Sequence, residues 1–290
     1  MIDIPVRKNR LYRDVEVLTT INPPRNYRNI QSLDKIADHI LQEFSKLDCT
    51  TQVQSYLAKD EIYKNVIASF ATENESRIVI GAHYDVDGDQ PGADDNASAV
   101  AGLLEIARLV HELKPKLRHR LDFVAFSLEE APFYFTDLMG SAIHASSLKR
   151  SGASVKFMLC LEMIGYFSQK PGSQKYASEM LYDIYPHTGN FIALVSKDGG
   201  EKLVKQLQTH MQKVMHLEIQ TLCAPVDQHV EITLSDHLNY WKEGYEAVMI
   251  TDTSFLRNPH YHQKSDTIDT LDFDAMAEVV KGVYWALVNV

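Results

Sequence analysis

Between residues 32 and 47 apolar side chains recur at Leu33, Ile36, Ala37, Ile40, Leu41, Phe44 and Leu47, the spacing of one helix face, with Ser32 placed as its N-cap. Two strand-like runs follow at 52–57 and 63–70, and a buried strand is predicted at 77–82. Residues 97–113 read as a long apolar helix. Further strands are predicted at 121–127, 155–161, 191–195 and 246–250, with helices at 142–148, 202–215 and from Asp272 to about Val288. Strands that alternate with helices imply an α/β fold with a mixed, mostly parallel central sheet and helices on both faces. The Asn22-Pro23-Pro24 break sets off an N-terminal segment, residues 1–30, expected to pack on the rest. Nothing later reads as a linker, so residues 1–290 are expected to form one domain.

Composition narrows the function classes. Lys and Arg total 29 against 39 Asp and Glu, a formal charge of -10, which argues against nucleic acid as a partner because phosphate binding needs a basic surface. Cys49, Cys160 and Cys223 are far apart and odd in number, so neither a disulfide framework nor a thiolate metal site can be read. The stretch from Met1 to Lys8 lacks an apolar signal core, and no apolar run reaches membrane-spanning length. The expectation is a cytoplasmic protein with reduced thiols and no membrane partner.

In open α/β sheets the site forms beyond the carboxyl ends of strands. Four such strand ends carry suitable chemistry here. His83 and Asp85 lie two apart at one end, able to share a face, with the histidine as metal ligand and the aspartate orienting its ring. The run Pro91-Gly92-Ala93-Asp94-Asp95-Asn96-Ala97-Ser98 opens the long helix with paired acids. Glu129 and Glu130 are adjacent, and both can serve one site only where the strand ends and turns. Glu162 repeats the pattern of an acid after an apolar strand, and His260-Tyr261-His262 follows the last strand. Each alone has an ordinary explanation as a salt link, a helix cap or a solvated carboxylate. Together they are a mixed imidazole and carboxylate set suited to Zn²⁺, with Co²⁺ or Mn²⁺ as alternatives.

These stretches, with Ser235-Asp236-His237 and Asp266-Thr267, make the chain resemble the di-zinc exopeptidases: aminopeptidase Y, bacterial leucyl aminopeptidase and glutamate carboxypeptidase, with glutaminyl cyclases as relatives on the same fold. The resemblance runs from residue 81 to about 267. It implies two metal ions, His83 and Glu162 holding one, Glu130 and His262 the other, and Asp95 bridging them. It makes Glu129 the general base, Asp85 the orienter of His83, and Asp266 a similar partner for His262. It also implies a cis peptide at Asp95–Asn96. Glu162 departs from the aspartate common at its position, and Ala99 from the usual glycine. Asp236 and His237 are carried only as substrate-binding candidates on the pocket wall. The loop 132–137, with three aromatics, is a second candidate for shaping the pocket.

The implied reaction is hydrolysis of a peptide at one end, by a metal-bridging water with Glu129 managing its proton. No Gly-x-Ser-x-Gly elbow occurs, and Ser98 has no visible base partner. The alternatives are a single-zinc cyclase, which the pairing of His83 with His262 disfavours, and an inactive binding module, which would be expected to lose ligands. The slightly anionic cleft favours a substrate ammonium, hence an aminopeptidase. A carboxypeptidase would need a cationic clamp, for which Arg257 is the only arginine between Ser235 and Asp266. Oligomeric state and side-chain preference are not legible.

Overall fold

The computed structural model describes residues 4–290; Met1, Ile2 and Asp3, part of the stretch read for a signal core, lie outside the described residues. The chain runs through α1 (Lys8–Thr19), α2 (Ile30–Ser45), β1 (Thr50–Ala58), β2 (Glu61–Phe70) and β3 (Arg77–His83). An irregular helical turn, Ala93–Ser98, leads into α3 (Ala99–Leu113), then β4 (Arg120–Phe126), α4 (Gly140–Arg150) and β5 (Val155–Glu162). The remainder is α5 (Glu179–Tyr182), β6 (Phe191–Lys197), α6 (Glu201–Met211), β7 (Glu218–Ala224), α7 (His237–Lys242), β8 (Ala247–Thr251) and α8 (Phe273–Asn289). One eight-stranded sheet has the order β1-β2-β4-β3-β5-β8-β6-β7. β4, β3, β5 and β8 are mutually parallel, β6 pairs β7 in parallel, and the β1–β2, β2–β4 and β6–β8 pairs are antiparallel.

Period-two alternation explains why both faces are covered. On β3, Ile78, Ile80 and Ala82 enter the core beneath α1, α2, α3 and α8, while Val79 enters the opposite core with Leu148 of α4 and Trp241 of α7. On β5, Phe157, Leu159 and Leu161 take the first side, Met158 and Cys160 the second. Burying one such large aliphatic or aromatic side chain contributes roughly 1.5–3 kcal/mol. α3 lies between the sheet and the outer helices, so every residue from Ala99 to Val110 is buried, and it needs no polar face.

The expected elements appear, with shifted ends. α2 begins at Ile30 with Asn29 as its N-cap residue. Ser32 is therefore not the cap; its hydroxyl donates to the Pro23 carbonyl at 2.7 Å and ties the helix to the proline turn. The helix expected over 202–215 ends at Met211. Four elements were not anticipated. α5 is a single four-residue turn with no buried residue. α1 buries only Leu11, Asp14, Val15 and Leu18. β7 is an edge strand with two buried residues. α7 spans six residues, too short for a periodic signal. Among the described residues no helix is long and apolar enough to cross a membrane.

The order of strands places the chemistry. From β3 the chain crosses by α3 to β4 on one side, then by α4 to β5 on the other. The connections diverge at β3, opening a crevice at the carboxyl ends of β3, β4, β5 and β8.

Candidate metal centre

His83 is the last residue of β3 and is almost wholly buried. Its Nδ1 faces Asp85 Oδ1 at 3.5 Å. Its Nε2 faces Asp95 Oδ1 at 3.4 Å, Glu162 Oε2 at 3.5 Å and Glu129 Oε2 at 3.8 Å. Asp85 does more than face the ring. Its two oxygens accept the backbone N–H groups of Glu129 at 3.2 Å and Glu130 at 3.1 Å. Leu128 has φ 61°, so the chain turns sharply after β4. That turn lets adjacent glutamates enter one site.

Asp95 sits in the irregular turn before α3, and its peptide bond to Asn96 is cis, as the resemblance implied. Gly92, at φ 62°, makes the turn possible: a Cβ there would lie 2.2 Å from the Asp95 carbonyl oxygen. The Asp95 carboxylate lies between two imidazoles, Oδ1 toward His83 and Oδ2 at 3.1 Å from His262 Nε2. Glu130 Oε2 is 3.4 Å from the same His262 nitrogen. The structure therefore brings His83, Asp85, Asp95, Glu129, Glu130, Glu162 and His262 into one cluster.

Other roles are filled differently from expectation. Asp266 does not face His262; it accepts the backbone N–H groups of Asp94 at 2.9 Å and Asp95 at 3.1 Å, holding the turn. Asp87 stands at His262 instead, Oδ2 at 3.6 Å from Nδ1. Asp236 and His237 are fully buried and do not line the cleft. Neither Asp236 oxygen has a hydrogen-bond partner, and burial pushes its carboxyl up to about 7. His237 is bonded through Nε2 to the Ile232 carbonyl at 2.7 Å and packs against Trp241. The useful member of that segment is Ser235, whose hydroxyl donates to Glu162 Oε2 at 2.5 Å. Arg257 is likewise no substrate clamp. It is buried, donates from Nε to Gln174 Oε1 at 2.9 Å and from Nη1 to the Phe191 carbonyl at 2.8 Å, and stacks over the Phe191 ring. Its guanidinium braces the cleft wall from behind. In the loop 132–137, Phe133 is buried against Tyr27 and Tyr63 while Tyr134 lines the cleft.

Two further residues take roles the sequence reading did not assign. Asn96 donates to the Leu161 carbonyl at 3.2 Å and accepts from the Met163 N–H at 2.9 Å, fixing the turn that carries Glu162. Tyr261 stacks on His262, centroids 3.8 Å apart, and lines the cleft. Only the neighbouring Asp-Asp-Asn and Tyr-His pairs in the sequence hinted at them.

The electrostatics of the metal-free cluster are unbalanced. Burial pushes the Glu129 carboxyl well above the usual carboxylate range despite His83 beside it. Burial and then the Asp95 charge raise Glu130 to about 8. Burial also works to raise Asp95, but proximity of His262 and His83 holds it below the ordinary range. His262 is desolvated, yet Asp95 and Glu130 raise it to about 10. Buried carboxylates at this density are relieved either by taking up protons or by holding cations. His262 Nε2 and Glu130 Oε1 are buried without any hydrogen-bond partner. The donor atoms of His83, Asp95 and Glu162 all lie within 4.8 Å of one another, as do those of Asp87, Glu130 and His262. Oxygen and imidazole donors in such groups fit divalent ions of the zinc type.

Beside the cluster opens a cleft of about 220 Å³. Asp95, Glu129, Glu130 and Glu162 lie at one end, and Val195, Leu222, Leu234 and Met249 are among the residues of its apolar wall.

Comparison with known proteins agrees with this site. The sequence profile of peptidase family M28 matches residues 65–286. Over 288 residues the chain is 41% identical to YfbL of Escherichia coli (strain K12), an uncharacterized protein, covering 97% of this chain and 87% of that one. It is 27% identical to a probable leucine aminopeptidase of Trichophyton verrucosum, covering 94% of this chain and 70% of the relative. The structure of a zinc aminopeptidase from Bacillus subtilis superposes with a TM-score of 0.77 at 14% identity, covering 99% of this chain and 95% of that one, which shows the shared fold. With the profile covering residues 65–286, most of its length, the chain belongs to peptidase family M28.

Proposed function

We propose that this protein is a two-metal aminopeptidase that removes N-terminal residues with bulky apolar side chains. The observation that carries the reading is the position of Asp95: two imidazoles approach its opposite oxygens at 3.4 and 3.1 Å, and each has its own glutamate, Glu162 or Glu130. His83, Asp95 and Glu162 would hold one ion, and His262, Asp95 and Glu130 the other. Bound there, divalent ions such as Zn²⁺, or Co²⁺ or Mn²⁺ in its place, supply Lewis acidity toward the scissile carbonyl and lower the pKa of water. Glu129 stands outside both sets, takes the proton of the attacking water and passes it to the leaving amine. Asp85, facing the His83 ring at 3.5 Å and accepting the Glu129 backbone N–H, ties the base to the ligands.

The cleft supports an amine rather than a carboxylate at the substrate end. Among the described residues no lysine or arginine lines it, whereas Glu129 and Glu231 do. An ammonium is favoured by such a field, and a carboxylate has no fork to receive it. The apolar volume of about 220 Å³ exceeds the roughly 150 Å³ in which an engineered protein cavity holds benzene, so a leucine or phenylalanine side chain is accommodated. Paired substrates test this. Leucyl and phenylalanyl peptides with a free amine are expected to be cleaved, acetylation of that amine to abolish cleavage, and amidation of the far carboxylate to matter little. Cleavage that survives acetylation and is lost on amidation would make the protein a carboxypeptidase.

Metal affinity is expected to rise with pH. In the metal-free state Glu130, raised to about 8, and His262, raised to about 10, both carry protons at pH 7. An ion must displace those protons, so affinity falls by about tenfold or more for each pH unit below 8. Competition against a chromogenic chelator at pH 7 and pH 8 measures it; equal affinities would contradict the proton displacement.

A further inference from the structure

His262 is the least protected member of the cluster. Its side chain is 30% exposed, while those of His83, Asp95, Glu130 and Glu162 are all below 10%. Its backbone lies in the left-handed region, φ 55°, in a loop without regular structure. A ligand in that position keeps its ring orientation only if something beyond the metal holds it. Tyr261 restrains one ring face by stacking. The remaining degree of freedom is rotation within the ring plane, together with the choice of tautomer. A carboxylate on the far nitrogen fixes both.

Asp266, nearest in sequence, is unavailable because both its oxygens accept backbone N–H groups of the Asp94–Asp95 turn. Asp87 occupies the place. Its Oδ2 faces His262 Nδ1 at 3.6 Å, on the opposite ring edge from the nitrogen directed at Asp95 and Glu130. Asp87 is itself restrained: Gln90 Nε2 donates to the same oxygen at 3.3 Å. The loop that carries it is anchored from the N-terminal segment. Buried Arg25 donates to the carbonyls of Tyr84 at 2.8 Å and Gly92 at 2.7 Å, and Asn26 Nδ2 donates to the Gly88 carbonyl at 2.5 Å. The residues before α2 thus hold the loop that holds the ring.

We propose that Asp87 is the positioning residue of His262 and sets the affinity of the outer metal site, the one formed by His262, Glu130 and Asp95. The proposal rests on the two-metal reading above. Asp87 faces Nδ1 and leaves Nε2 free as the donor toward the ion, so its effect acts through His262. The inner site, formed by His83, Asp95 and Glu162, has Asp85 for the same purpose and is unaffected by Asp87.

The test is a zinc titration of the metal-free full chain by calorimetry, with thermal unfolding of the same metal-free samples. The unaltered chain is expected to take up two ions. Asp87→Asn is expected to bind the first unchanged and the second about 10–100-fold more weakly, with the metal-free melting temperature unchanged. Asp87→Glu, which keeps the charge, is expected to recover part of the loss. Asp266→Asn is the contrast, expected to weaken both ions because Asp95 belongs to both sites. An Asp87→Asn chain that binds both ions as before, or that loses both equally with a lowered melting temperature, overturns the proposal. An unaltered chain that saturates at one ion overturns the two-metal reading itself, and the proposal with it.

Discussion

Glu129→Gln is expected to keep both metal ions and lose at least about 10²-fold in turnover. The side chain is nearly isosteric, and the backbone N–H that Asp85 accepts from it is unaltered. What disappears is, among the described residues, the only buried carboxylate of the cleft outside the two proposed ligand sets, 3.8 Å from His83 Nε2 and raised well above the usual range by burial. A carboxylate beside the site but outside both ligand sets suits a base that must take a proton and release it to the leaving amine. Glu130→Gln, one residue along, is expected to act through the metal: the second ion dissociates more readily, and added metal restores part of the activity. Single-turnover kinetics with metal analysis on both variants separate the two. If Glu129→Gln sheds an ion while Glu130→Gln retains both, the two glutamates exchange roles.

Asp95→Asn is expected to reduce metal uptake from two ions to one at most, and to abolish measurable turnover. Asp95 faces the two imidazoles with opposite oxygens, so its loss is not confined to one site. Breaking a buried ion pair by removing one partner costs about 3–5 kcal/mol, on the order of 10²–10⁴-fold in affinity. Elemental analysis of dialysed protein measures the stoichiometry, and a chelator titration of the unaltered chain shows activity lost and regained with metal. Two tightly bound ions in Asp95→Asn would remove its bridging role. One ion in the fully active unaltered chain would favour a single-metal reaction of the cyclase type.

Much of this centre was legible in the sequence, for a physical reason. Four of the clustered residues stand where apolar strands end, and a strand end is marked locally by the stop of a hydrophobic run. His83 after Ile78–Ala82, Glu129 and Glu130 after Leu121–Phe126, and Glu162 after Phe157–Leu161 follow that rule. The parallel register of β4, β3, β5 and β8 then carries those ends to one edge. The strands themselves announced both their covered faces through unbroken apolar runs. Elements with few buried residues, such as β7 and α1, lacked that contrast.

Partner choice among polar side chains was decided only by tertiary structure. Asp266 lies four residues from His262 and chain order favours it, whereas Asp87 is far away in sequence and meets the ring only in the fold. Asp266 is taken instead by a turn 172 residues away, where the Asp94 N–H needs an acceptor. Likewise Ser235, not Asp236 or His237, meets Glu162, because α7 begins at His237 and turns the next side chains into the core. Arg257, the one arginine near the site in sequence, faces the back of the wall, where the Phe191 carbonyl and ring receive it. Strand periodicity and charge are properties of a short window of chain and survive in the sequence. Hydrogen-bond satisfaction of buried groups is settled between distant segments, and only the packed fold determines it.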